Sequence, residues 1–155
     1  MDATTFLSIG SAAPDFRAPT SNGQTLDRSS FLGKVPVALV FPAPDTPDLA
    51  ATLRPFDDRM VEFGHRRVQV LAVVDESPRT VRELAERIPL RALTLLADQD
   101  GSIREAFAPR DGQCDLMDTD GTLRAVVPLG PDAVDDLLRH ADALDTAGAP
   151  GRGPD

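Results

Sequence analysis

Two hydrophobic rhythms run along this chain. Residues 35–41 and 68–74 are short, nearly unbroken apolar runs rich in valine, the pattern of strands buried on both faces. Elsewhere the apolar residues recur at helical spacing. Leu49, Leu53, Phe56, Met60 and Phe63 mark a helix over 48–64, and Pro55 inside it predicts a kink. Val81, Leu84, Ala85 and Ile88 share one face of a helix over 77–88, with Ser77 as its cap and Pro78 at its first position. A short strand over 93–97 and a short helix over 101–107 follow. Residues 114–118 and 122–129 read as a hairpin turning at Thr119-Asp120-Gly121. Val134, Leu137, Leu138 and Ala141 supply the inner face of a closing helix over 131–144.

The first 35 residues are turn-rich, punctuated by Pro14, Pro19, Asn22-Gly23 and Gly33-Lys34. Asn22-Gly23 predicts a hairpin between 16–18 and 24–26. Residues 145–155 carry no core signal and are expected to be a disordered tail behind a single domain over 1–144. Strand and helix alternate through the middle, and the chain closes on a hairpin and a helix. That order predicts an α/β fold with a mixed sheet and helices on both faces.

Composition narrows the function. A chain of 155 residues with 41% apolar content makes one domain with a real core. No apolar run approaches the roughly 20 residues of a membrane span. The N-terminus has neither a basic cluster nor a long apolar stretch, so the expected compartment is the cytoplasm, with no membrane partner. Net charge is −9, and the arginines are scattered among acids, as in Asp57-Asp58-Arg59, so nucleic acid is not an expected partner. The single cysteine, Cys114, allows no intramolecular disulfide and no cysteine-rich zinc site. His65 and His140 have no ligand spacing, and the D-x-D-G strings at 98–101 and 118–121 lack the glutamate of a calcium loop and read as turns. No metal and no cofactor are expected.

Several strings in one order resemble the peroxiredoxin family (AhpC/TSA type), in its branch related to bacterioferritin comigratory protein. Gly10-Ser11-Ala12-Ala13-Pro14-Asp15-Phe16 is similar to the opening G-x-x-A-P-D-F. Phe31-Leu32-Gly33-Lys34 is similar to F-x-G-K, residues 95–101 to L-L-x-D-x-D-G, and 116–121 to the later hairpin. The resemblance covers 8–144 and implies a thioredoxin-like sandwich, a central mixed sheet flanked by helices. It also implies an active site of the form P-x-x-x-T-x-x-C, which falls on residues 42–49. Pro42 and Thr46 are present, but Leu49 stands at the position of the peroxide-reactive cysteine. The resolving position, five residues on, is Arg54. The family's arginine before the later strand falls on Gly112 or Gln113, with Arg110 slightly upstream and within conceivable reach of the pocket.

The physical logic of that stretch stands without the family. Thr46 is placed to cap a helix and Pro47 suits its first turn, so residue 49 sits at the positive end of the helix dipole. A thiol there becomes a nucleophile; leucine has neither lone pair nor proton to offer. Three readings follow. The first is a peroxiredoxin-like protein without thiol peroxidase activity, with Pro42, Leu49, Arg110 and Cys114 lining a pocket that takes a small molecule or a partner. The second is a non-redox enzyme of a specialised biosynthetic pathway, using Asp45, Thr46 and Asp48 in that pocket as acid, base or polar ligands. Against it stands ordinary helix-start chemistry, which favours the same residue types. The third is an antioxidant oxidoreductase acting through Cys114, in Gln113-Cys114-Asp115 at the start of the hairpin strand. A strand cysteine is more simply a small hydrophobe, and Asp115 beside it disfavours a thiolate. Members of the family usually dimerise, which implies a homodimer.

Overall fold

The computed structural model describes residues 9–43, 48–107 and 112–152, the last eight of these by backbone alone. A small antiparallel pair comes first, β1 (Arg17–Pro19) and β2 (Thr25–Asp27), joined through the Asn22-Gly23 turn as predicted. The main sheet holds five strands: β3 (Val37–Phe41), β4 (Gln69–Val74), β5 (Thr94–Ala97), β6 (Gln113–Met117) and β7 (Leu123–Pro128). Their spatial order is β5-β4-β3-β6-β7. β3, β4 and β5 run parallel, and β6 pairs antiparallel with both β3 and β7. This is the mixed sheet of a thioredoxin-like α/β sandwich.

β3 shows why the sheet is the centre of the molecule. Its five residues are all buried, and alternation sends them to two different cores. Ala38 and Val40 join a cluster with Leu53, Phe56, Phe63, Val81 and Leu137, under the helices α1 (Leu49–Asp58), α2 (Met60–His65), α3 (Pro78–Arg87) and α5 (Ala133–Arg152). Val37, Leu39 and Phe41 join the opposite cluster with Phe16, Ile103 and Phe107, under the N-terminal segment and α4 (Ser102–Phe107).

The predicted helix over 48–64 is two helices. α1 ends at Asp58, Arg59 leaves helical geometry (φ −109°, ψ 15°), and α2 resumes at Met60. Pro55 lies inside α1, and the interruption falls four residues beyond it rather than at it. The cap is also different: Asp48, not Thr46, precedes the first turn, and its carboxylate accepts from the Ala51 N–H at 3.1 Å. α3 follows its prediction, with Ser77 accepting from the Thr80 N–H at 3.1 Å and Pro78 at the first position. α5 runs to Arg152, past the predicted end at 144, and among the described side chains its core contacts end at Leu144.

Candidate functional site

The site implied by the sequence lies where β3 ends and the chain turns toward α1. Pro42 is buried at that turn. Asp45 and Thr46 fall outside the described residues, as does Arg110. Asp48 is exposed and committed to capping α1. Leu49 is the first residue of α1, half-buried, and packs against the helix-side core. Arg54 is exposed on the same helix.

The β3–β6 register sets Gln113 opposite Phe41, which brings Gly112 beside the Pro42–Ala43 peptide. A Cβ on Gly112 would lie 3.4 Å from the Ala43 nitrogen and 3.2 Å from Leu129 Cδ1. Leu129 therefore fills the space that a side chain at 112 would need, and packs with Leu49 against the same core. Gln113 turns to its own strand, its Nε2 donating to Asp115 Oδ1 at 2.7 Å.

Cys114 lies in mid-sheet, opposite Val40 on β3 and Val127 on β7, with no exposed surface. Burial pushes its thiol well above the ordinary cysteine range, and the neighbouring Asp115 charge pushes it further. The structure thus makes it the small core hydrophobe that a strand cysteine more simply is. A thiol held neutral and out of contact with water is a poor nucleophile.

Arg104 on α4 is a contributor that the sequence did not single out. Its Nη2 donates to the Pro42 carbonyl, and its guanidinium lies over the Phe41 ring at 5.8 Å. It thereby ties α4 to the end of β3. The signal was an arginine beside the core-facing Ile103 of a short helix, three residues beyond the Asp98–Gly101 turn. The first carboxylates of that turn and its twin are already engaged: Asp98 accepts from the Ile103 and Arg104 N–H groups at 2.9 Å each, and Asp118 from those of Asp120 (2.9 Å) and Thr122 (3.0 Å) and from Arg124 Nε (2.7 Å). Among the described residues no group of three His, Cys, Asp or Glu side chains could hold a metal ion. Two surface clefts, of about 420 Å³ beside Asn22, Arg82 and Arg91 and about 510 Å³ beside Asp15, Arg28 and Ser102, lie away from the β3 turn.

Comparison with known proteins places the chain. The family model described as AhpC/TSA matches residues 9–134. The chain belongs to the AhpC/TSA family. It is 29% identical over 101 residues to "Peroxiredoxin Bcp" of Escherichia coli K12, which covers 65% of this chain and 64% of that protein, just under two thirds of its length. It is 27% identical over 101 residues to chloroplastic peroxiredoxin Q of japonica rice, covering 65% of this chain and 46% of that one. Among solved structures it resembles the reduced 2-Cys peroxiredoxin of Plasmodium vivax (TM-score 0.78, 24% identity, 91% of this chain and 98% of that one). It resembles peroxidoxin BcpB of Mycobacterium tuberculosis equally well (TM-score 0.78, 24% identity, 89% and 98%). At these identities the structural likeness establishes the AhpC/TSA fold.

Proposed function

We propose that this chain is an AhpC/TSA-family protein without thiol peroxidase activity, whose β3 turn serves to bind a small molecule or a partner protein. One observation carries the reading. The first residue of α1, where a reactive thiol would sit, is Leu49, and the chain's single cysteine is buried in the sheet with its thiol held neutral. Leu129 against Gly112 supports it, because the room for a cationic side chain at 112 is filled by hydrocarbon. Asp48 spends its carboxylate on the helix cap, which weighs against it as acid or base. Burial weighs equally against an oxidoreductase working through Cys114. The same proposal takes it to work in the cytoplasm as a homodimer, a reading supported only by likeness to its family. Among the described residues no helix is long and apolar enough to cross a membrane.

Peroxide consumption with a dithiol reductant tests the proposal, comparing the wild type with Cys114→Ser. Both should match the reductant-only background. Turnover by the wild type that the substitution abolishes would overturn it and make Cys114 catalytic.

A further inference from the structure

Asp115 is an acid where a strand wants a hydrophobe. It is 1% exposed, in the middle of β6, directly opposite Leu39 on β3 and Val126 on β7. Residues opposite one another share a face, so its carboxyl points with Leu39 into the cluster of Phe16, Phe41 and Phe107. Gln113 holds one oxygen, Oδ1, at 2.7 Å, and the other, Oδ2, has no hydrogen-bond partner. A buried oxygen without a partner is costly, and far more so when the group is charged.

Among the described residues no charge compensates it. β3 offers only Val37, Leu39 and Phe41 on that face. Arg124, on the same side of β7, is paired with Asp118 at 2.7 Å. Arg104 from α4 is held at the Pro42 carbonyl and the Phe41 ring. In the N-terminal segment Arg28 is paired with Asp15 at 2.9 Å. Cys114, its neighbour in sequence, points to the other core. The route to water is short: β7 is the edge strand, and Val126 across from Asp115 is already 38% exposed.

We propose that Asp115 and Gln113 form a proton-sensitive latch, in which the neutral carboxyl lets β6–β7 close against β3 and its ionisation loosens the edge strand. Burial supports this by raising the carboxyl to about 6, with the Gln113 hydrogen bond pulling the other way. The sign follows. Below the unfolded value both states are protonated and the latch costs nothing. As pH rises the unfolded chain ionises first, so stability falls up to about pH 6 and stays low above it. The latch is independent of any ligand at the β3 turn.

The test has two parts on the intact chain. Carboxyl-carbon NMR of the wild type should show Asp115 titrating near 6, against ~3.9 for an ordinary aspartate. Amide hydrogen exchange, corrected for intrinsic rates, should show protection in β6–β7 falling by up to ~10-fold relative to β4 between pH 5 and 7.5, and no such fall in Asp115→Asn. An ordinary titration midpoint, unchanged or uniformly lost protection across the sheet, or the same fall in Asp115→Asn would overturn the latch. Should that variant fail to fold, the wild-type midpoint and exchange pattern decide alone.

Discussion

At Leu49 the backbone already provides what a reactive thiol would use: the first position of a ten-residue helix, next to N–H groups that have no partner within the helix. Only the side chain is inert. Leu49→Cys should therefore create one thiol that reacts quickly with a disulfide reagent in the folded protein at neutral pH, while the wild type shows none until denatured. Thiol counting over time checks this, and a fast thiol in the wild type would contradict the burial of Cys114. Gly121 makes a second residue-scale case. It turns the β6–β7 hairpin at φ +81°, and a Cβ there would lie 2.9 Å from Leu32 Cδ2. Gly121→Ala should cost about 1–3 kcal/mol by urea unfolding, from left-handed backbone strain and the clash together.

Among the elements, α1 and the loop before β5 are joined by one carboxylate. Asp57 accepts from the backbone N–H groups of Arg91 (3.1 Å), Ala92 (2.8 Å) and Leu93 (2.8 Å). Partial burial raises its pKa, but these hydrogen bonds outweigh it and leave the carboxyl below the ordinary aspartate value. Its stabilisation is thus complete above the unfolded value and is lost as pH falls through the folded one. Asp57→Ala should lower stability by about 2–3 kcal/mol at pH 7 and by less in acid, read from denaturation at both pH values. The sequence pattern showed where α1 and α3 lie because their apolar residues repeat at helical spacing. It did not show the break at Arg59 or the Asp48 cap, since Thr46 and Asp48 are both good caps and backbone geometry decides between them. Nor did it show Asp115 buried, because a charged residue inside Cys-Asp-Leu-Met reads as the polar half of an alternating strand.

For the molecule as a whole, periodicity led as far as a mixed sheet with helices on both faces. The order β5-β4-β3-β6-β7 needs long-range pairing that no local pattern encodes; the ordered family strings pointed to the thioredoxin-like sandwich but not to that order. What the proposed site at the β3 turn would bind was not legible, because Leu49, where the family resemblance places a reactive cysteine, names no chemistry of its own. A small molecule that occupies this turn should raise the melting temperature with its concentration, by the linkage that any native-state ligand obeys. The central claim, that this member of the AhpC/TSA family lacks a peroxide-reactive thiol, is met most directly by a single-turnover measurement. Reduced wild-type protein is mixed with a slight excess of hydrogen peroxide for one minute, quenched with catalase, unfolded and titrated for free thiol. Full recovery of the one Cys114 thiol is the predicted result; its loss within that minute would contradict the account.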